Sequence, residues 1–390
     1  MTAVRTAVGV TAALGFRAAA AEAGLKSSGG PDVAVVVNDG PSHAAAGVFT
    51  ANRVKAAPVL WSEQVLKSGQ LTAVVLNSGG ANACTGPAGF QDAHATAEHV
   101  AAGLGIGAGE VAVCSTGLIG ERLPMDRLLA GVDTAIAALA VDSGPDAARA
   151  IMTTDTAPKQ SVVQAGGYTV AGMAKGAAML APGLATMLAV LTTDAEAAPA
   201  DLDTALRTAT RSTFDRVDSD GCMSTNDTVL LLASGASGVR PPAGALAAAV
   251  TAVCQDLAMQ LLADAEGSTK TIAVEVERAA SEDDALEVAR AVARSNLLKC
   301  AIHGEDPNWG RALSAVGTTN AAFQPDAVDL AINGVWVCRG GAAGADRSLV
   351  DLRPREVTIT VDLAAGSAHA TVWTNDLTAE YVHENSAYST

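Results

Sequence analysis

Residues 172–195 read GMAKGAAMLAPGLATMLAVLTTDA, an apolar, glycine-rich run that contains a single lysine, Lys175, and a threonine, Thr186. Its Val, Leu and Thr content is typical of a buried strand, because β-branched side chains fit a pleated surface. Pro182 and Gly183 favour a turn just before Thr186. The run therefore predicts either a plain core strand or a turn that carries a functional threonine.

The functional interpretation depends on the peptide bond between Ala185 and Thr186. If that bond breaks, the Thr186 hydroxyl lies beside its own α-amino group, so one residue holds both a nucleophile and a base. An α-amino group has a reference pKa near ~8, and a nearby ammonium such as Lys175 lowers it further. The hydroxyl itself can attack the Ala185 carbonyl in a strained turn, so the cut needs no protease.

Length and charge limit the classes of function. The chain has 390 residues and a formal net charge of −16; this length exceeds the usual single core and predicts two lobes or two closely packed halves. An acidic chain without a run of Lys and Arg lacks the basic footprint that nucleic acid or an anionic membrane surface requires. We therefore expect no nucleic acid and no membrane partner.

Targeting signals are weak. The first apolar residues faintly resemble a secretory leader, but Arg17, Glu22 and Lys26 interrupt the pattern. We also expect no stretch that approaches the ~20 apolar residues of a membrane span. These observations favour a cytoplasmic location.

Cysteine and histidine positions predict no metal and no redox pair. None of the spacings matches a zinc site or a CxxC dithiol. We expect the cysteines to be buried as small apolar side chains in a reducing compartment. They are Cys84, Cys114, Cys222, Cys254, Cys300 and Cys338.

Apolar runs and helical patterns are mixed along the chain. Strands are expected at 32–38, 71–77, 111–115, 271–277, 327–337, 357–361 and 369–374, and helices at 91–104, 125–139, 199–214, 243–264 and 282–296. Strands among helices predict a layered α/β protein.

The run 175–195 resembles the cleavage segment of the ornithine acetyltransferase family, the glutamate N-acetyltransferases of arginine biosynthesis. The junction is Ala-Thr, with Lys175 eleven residues before Thr186, and Gly183 stands where many relatives have Asn or Ser. The likeness covers nearly the whole chain, although Gly80 replaces a common Asn. It extends through 77–86 (NSGGANACTG), 115–121 (STGLIGE), 151–156 (IMTTDT), 224–228 (STNDT), 265–270 (AEGSTK), 306–311 (DPNWGR) and 384–390 (ENSAYST).

The resemblance implies a layered α/β/β/α sandwich of the N-terminal-nucleophile type, cut into an α chain 1–185 and a β chain 186–390. It implies that Thr186 is the nucleophile and that Thr116 and Gly117 stabilise the oxyanion, a role that suits a hydroxyl and a backbone N–H. The substrate-binding residues it implies are Thr153, Lys175, Thr186, Glu266, Asn385 and Thr390.

Other interpretations of these residues stay open. Glu266 followed by Gly267 is also typical of a solvated acid at a helix end. The segment 385–390 would ordinarily be a loose tail. The sequence does not decide which of Thr153 and Thr154 faces the site. Asp227 and Arg311, in two further motifs, are equally compatible with structural ion pairs and with catalytic roles.

The implied reaction is ping-pong. N2-acetylornithine gives its acetyl group to Thr186, and glutamate then takes it without a cofactor. Some relatives also accept acetyl-CoA, and the sequence leaves open whether this chain does. An α2β2 or higher assembly is expected by analogy. The competing hypotheses are an autocleaved amidase or aminopeptidase, in which water takes the acyl group, and an uncut, non-enzymatic binding paralogue.

Overall fold

The computed structural model describes residues 9–181 and 187–387, so Ala185, Thr186 and Thr390 lie outside the described residues. The chain forms two compact units, in agreement with the two lobes that its length predicts. The first unit comprises the described residues up to Asp215 together with Cys222–Leu261, and the second comprises Arg216–Gly221 and the chain from Leu262 onward. Neither boundary lies at residue 185, so the predicted cut does not separate the two units.

The first unit alternates strands and helices. Its strands are β1 (Phe16–Ala21), β2 (Val33–Asn38), β3 (Ala44–Phe49), β4 (Ala73–Ser78), β5 (Val111–Thr116), β6 (Lys159–Ala165), β7 (Tyr168–Lys175), β8 (Leu188–Thr193) and β9 (Thr228–Ala233). Its helices are α1 (Ala57–Val65), α2 (Gly86–Leu104), α3 (Met125–Ala137), α4 (Gly144–Ala150), α5 (Pro199–Ser212) and α6 (Ala245–Ala263).

These strands form two mixed sheets. The first has the order β1-β2-β4-β5, in which only the β4–β5 pair is parallel among the described strands. The second has the order β3-β9-β8-β7-β6, with β8 and β9 parallel. Every residue of β2, β4, β5, β8 and β9 is buried. Strands covered on both faces carry nearly continuous apolar runs, and these strands do so.

The two sheets share one core. Val35 and Val74 of the first sheet belong to the same buried cluster as Val190 and Leu230 of the second. Helices α2, α3 and α4 pack against the first sheet, and α5 packs against β3 and β9 of the second. The predicted α/β/β/α layering is therefore confirmed in this unit.

The second unit is built around another sheet. Its elements are β10 (Thr271–Ala279), α7 (Glu282–Ala293), α8 (Asn296–His303), α9 (Trp309–Val316), β11 (Asp329–Ile332), β12 (Val335–Arg339), β13 (Ala342–Ala343), β14 (Glu356–Asp362), β15 (Ala368–Asn375) and α10 (Ala379–Ala387). The strand order is β13-β12-β11-β14-β10-β15. Burial alternates along β10 because α7 covers only one face of this sheet.

Two predicted elements are wrong in their extent. The strand expected at 327–337 is a hairpin, because Asn333 and Gly334 both adopt positive φ (47° and 77°) between β11 and β12. An Asn-Gly pair is a strong turn signal at this spacing. The helix expected at 282–296 ends at Ala293, and α8 then begins after Ser295, whose hydroxyl accepts the N–H of Leu298.

Two further expectations need correction. Cys84, Cys222 and Cys300 are exposed rather than buried. Helix α6 is 19 residues long with a mean hydropathy of 1.5, so by length and composition it could cross a membrane, contrary to the expectation of no such stretch. Half of its most apolar stretch is buried inside the protein.

The shared core predicts a large cost for truncating Leu230, which is fully buried. We expect Leu230→Ala to lower the free energy of unfolding by about 2–5 kcal/mol, since it removes apolar contacts and leaves a cavity. Leu60→Ala is the matched control: Leu60 is 45% exposed on α1, and we expect a change within about 0.5 kcal/mol. Chemical denaturation measures both, and equal losses would contradict the shared core.

Candidate functional site

The predicted junction is flanked by two paired strands. Lys175 ends β7 and lies opposite Leu188, the first residue of β8. The segment at 172–195 is therefore two antiparallel strands and their connection rather than one core strand. Ala185 and Thr186 lie outside the described residues, but Met187 follows Thr186 directly in the chain and is buried.

Lys175 and Thr116, which the sequence separates widely, lie in direct contact. Lys175 Nζ donates a hydrogen bond to Thr116 Oγ1 at 3.1 Å, and the two residues are only 2% and 5% exposed. An ammonium can only donate, so the threonine oxygen accepts and its own proton must point elsewhere. The hydroxyl of Thr116 is therefore available to donate to a third, negatively charged oxygen.

The residue after Thr116 has to be glycine. Gly117 has a φ of +127°, and a Cβ there would lie 2.6 Å from the Gly80 nitrogen and 2.7 Å from the Gly79 carbonyl carbon. Neither backbone atom can move aside easily. The Gly80 N–H donates to the Thr116 carbonyl at 2.9 Å, and Ala81 N–H donates to Leu118. The loop at 116–120 is thus fixed against the loop at 79–83.

Asparagines hold these two loops together. Asn226 Nδ2 donates to the carbonyls of Ala81 (2.6 Å) and Ser115 (2.8 Å). Ser115 Oγ donates to Asn77 Oδ1 at 2.6 Å, while Asn77 Nδ2 donates to the Gly80 carbonyl at 3.0 Å. All of these groups are buried, so their hydrogen bonds define one arrangement of the loops.

Thr153 also belongs to the first unit. Its side chain is half-buried, and its N–H donates to Asp155 Oδ2 at 3.0 Å, whereas Thr154 is exposed. The same carboxylate accepts the N–H of Gly176, the residue after Lys175, at 2.7 Å. Asp155 therefore connects two predicted substrate-binding positions, and burial favours Thr153 over Thr154.

Asp227 is a buried acid whose role the sequence analysis left open. Its Oδ1 accepts the N–H of Met187 at 3.1 Å, and its Oδ2 has no hydrogen-bond partner among the described residues. Burial raises the pKa of Asp227 well above its ordinary value, and the opposing effects of the Met187 N–H, of the Ser224 hydroxyl and of Lys175 are smaller. No described Lys or Arg forms a direct ion pair with it, so the ion-pair interpretation is wrong for Asp227.

Glu266 and Asn385 form a separate group within the second unit. Asn385 Nδ2 donates to Glu266 Oε2 at 2.8 Å. Glu266 is only 9% exposed, so the alternative of a solvated acid is wrong. A Cβ on Gly267 would lie 2.3 Å from the backbone nitrogen of Tyr381, which shows how closely α10 approaches. The chain end is helical to Ala387 rather than loose, and Thr390 lies outside the described residues.

Other motif residues are structural by their contacts. Arg311 donates to the Leu297 carbonyl at 2.7 Å, with no ion pair among the described residues. His303 pairs with Asp376 at 2.9 Å. Within residues 9–181 and 187–387, no group of three His, Cys, Asp or Glu side chains could hold a metal ion. The first unit thus offers a cation and a hydroxyl for an anionic oxygen, and the second unit, taken by itself, offers the buried carboxylate of Glu266.

Known proteins match this chain over nearly its whole length. The model of the ArgJ family matches residues 17–390. The arginine biosynthesis bifunctional protein ArgJ of Streptomyces coelicolor is 70% identical, and the match covers 97% of this chain and 99% of that protein. Its counterpart from Thermobifida fusca is 66% identical, with 98% and 100% covered.

Solved structures of similar proteins match about half of the chain. The ornithine acetyltransferase of Mycobacterium tuberculosis, solved in complex with ornithine, is 61% identical with a TM-score of 0.45; the match covers 47% of this chain and 97% of that one. ArgJ of Bacillus halodurans is 33% identical with a TM-score of 0.47, and the match covers 50% and 97%.

The raised pKa of Asp227 predicts how stability depends on pH. The unfolded chain ionises this carboxyl near pH 3.8, while the folded chain keeps it protonated to higher pH, so rising pH favours unfolding. We expect the stability of Asp227→Asn relative to the unsubstituted protein to increase as pH rises from 4 to 7. Thermal unfolding across this pH range measures it.

Glu110→Gln is the control with the opposite sign. Hydrogen bonds from the Thr72 hydroxyl and the Gly107 N–H lower the pKa of Glu110, so its contribution to stability is lost as pH falls. Its substitution should therefore become more damaging as pH rises towards the ordinary value of 4.5, and the cost should level off above it. Parallel pH dependence of Asp227→Asn and the unsubstituted protein would show that Asp227 is ionised in the folded state.

Proposed function

Since the chain belongs to the ArgJ family and is an acyltransferase of arginine biosynthesis, we propose that it transfers the acetyl group of N2-acetylornithine to glutamate through Thr186. The observation that carries this proposal is the buried contact between Lys175 and Thr116, because it places a cation and an available hydroxyl proton at the end of β7. An acyl transfer needs donors of this kind where its oxyanion forms.

The proposed maturation is one intramolecular cut. The Thr186 hydroxyl attacks the Ala185 carbonyl carbon, the peptide C–N bond breaks, and the resulting ester is hydrolysed by water. Residues 1–185 then end in a carboxylate, and residues 186–390 begin with the free amine of Thr186. Met187, the next residue, is fixed by its hydrogen bond to Asp227, which supports a defined position for the new chain start.

The transfer then proceeds in two half-reactions. The Thr186 amine accepts the hydroxyl proton while the oxygen attacks the acetyl carbonyl of N2-acetylornithine. The amide C–N bond breaks, the proton passes to the leaving α-amine, and ornithine departs. The α-amine of glutamate attacks the acetyl ester in the second half, and the Thr186 oxygen recovers a proton. No cofactor takes part in either half.

The side chains divide between oxyanion and substrate recognition. Thr116 and the backbone N–H of Gly117 stabilise the negatively charged oxygen of each tetrahedral intermediate. Glu266 binds the side-chain ammonium of ornithine, since a buried carboxylate suits a cation. Donors for carboxylate and acetyl oxygens come from Lys175, Thr153, Asn385 and Thr390.

The word bifunctional in the relatives' names supports a second donor. We extend the proposal to acetyl-CoA, which would acetylate the same hydroxyl by thioester cleavage. A cytoplasmic α2β2 assembly also belongs to the proposal. The amidase alternative is disfavoured by the family match and by the similarity to ArgJ over nearly the whole chain.

Thr186→Ala tests the nucleophile and the cut together. Without the hydroxyl neither attack can occur, so we expect one full-length polypeptide of 390 residues and no acetyl transfer to glutamate. Intact mass under denaturing conditions and N-terminal sequencing measure the cut. Thr186→Ser retains a hydroxyl and should still divide at this junction. A Thr186→Ala protein that is found in two pieces would rule out the mechanism.

Thr116→Ala tests the oxyanion role. Losing one donor of this kind costs about 10²–10³-fold in the rate of acyl transfer. Thr116→Ser keeps the hydroxyl and should stay within about fivefold of the unsubstituted rate, because the same hydrogen bond can form. Steady-state transfer from N2-acetylornithine to glutamate measures both. A loss under about twofold for Thr116→Ala would remove Thr116 from this role.

A further inference from the structure

Asp155 lies at the centre of a buried cluster of charges. Its Oδ1 accepts hydrogen bonds from Lys159 Nζ at 2.6 Å and from Gly176 N–H at 2.7 Å, and its Oδ2 accepts Thr153 N–H at 3.0 Å. The side chains of the Lys159–Asp155 pair are 2% and 0% exposed. The Asp155 carboxylate therefore connects the loop at 151–156 to the start of β6 and to the end of β7.

Lys175 interacts electrostatically with two buried acids, Asp155 and Asp227. Burial raises the pKa of Asp155, but the combined effects of Lys175, Lys159 and the Gly176 N–H lower it below its ordinary value. Lys26 also faces Asp155 and donates to the Met152 carbonyl at 3.3 Å. Asp227 faces Lys175 as well, but burial raises its pKa. Lys159 and Asp155 form a buried ion pair close to Lys175.

We propose that Asp155, paired with Lys159, is a positioning residue that holds Lys175 and Thr153 in place through the backbone N–H groups of Gly176 and Thr153. This inference rests on the proposed function only because that function assigns Lys175 and Thr153 to substrate binding. The carboxylate acts on Lys175 through the backbone of Gly176 and through its charge, and on Thr153 through the backbone N–H. It need not contact a substrate itself.

Two substitutions separate charge from packing. Asp155→Asn keeps the shape but removes a negative charge near Lys175, so the Lys175 pKa should fall by about one unit or more. Lys159→Met keeps the carboxylate and removes a like charge, so the Lys175 pKa should rise. A residue that only supports packing would not move this pKa in opposite directions in the two variants.

The pKa of Lys175 can be measured without an activity assay. Lysines labelled with ¹³C at Cε are titrated by NMR in the full-length protein, with the Lys175 signal assigned by its loss in Lys175→Arg. Circular dichroism and the thermal midpoint confirm that each variant is folded. The second measurement is the pH–rate profile of acetyl transfer, in which we expect Asp155→Asn to move the alkaline limb to lower pH.

We also expect Asp155→Asn to reduce kcat by about tenfold or more at neutral pH, since small displacements of positioned groups are costly to rate. An unchanged Lys175 titration in both variants, or shifts in the same direction, overturns the proposal. If Asp155→Asn does not fold, Lys159→Met decides alone: an upward shift supports the proposal and no shift overturns it. Absence of acetyl transfer in the unsubstituted protein would refute the proposed function, while the titration would still decide the role of Asp155.

Discussion

A buried ammonium needs partners, and this requirement determines how the two sheets of the first unit meet. Lys175 is almost completely removed from water, and an isolated charge in such a place would cost several kcal/mol. Its partners come from elsewhere in the fold: the hydroxyl at the end of β5 and the carboxylate of Asp155. Because the Thr116 hydroxyl accepts a hydrogen bond from Lys175 Nζ while Asp155 accepts the N–H of Gly176, the ends of β5 and β7 have little freedom to slide.

The site was predicted best where a motif supplies the chemistry directly. Lys175, Thr116 and Thr153 were expected from resemblance. The structure brings Lys175 and Thr116 into contact, and the backbone N–H of Thr153 donates to the Asp155 carboxylate. Asp155 was not singled out as part of the site, and the role of Asp227 stayed open, because nothing in the sequence shows that an acid is buried or which N–H it accepts. Residues 182–186 lie outside the described residues, so the nucleophile itself stays a prediction.

The fold was predictable where apolar runs are long and contain valine, as in β2, β4 and β5. It was missed in alanine-rich strands. β1 reads FRAAAA and β3 reads AAAGVF, and alanine on its own favours helix. Tertiary packing decides here: β3 pairs with β9 along its whole length, and a Cβ on Gly47 would lie 2.6 Å from the Leu66 side chain. The small residues of β3 are therefore explained by the lack of room for larger side chains, not by strand propensity.

Strand β8 lies between β7 and β9 in the second sheet, only two residues after the predicted cut. It would therefore be the first strand of the polypeptide 186–390, while it stays hydrogen-bonded to β7 of the polypeptide 1–185. A fragment beginning at 186 and synthesised without its other half would present an apolar, unpaired sheet edge, which is a template for aggregation. The two halves are thus suited to being made as one precursor and divided only after they have folded together.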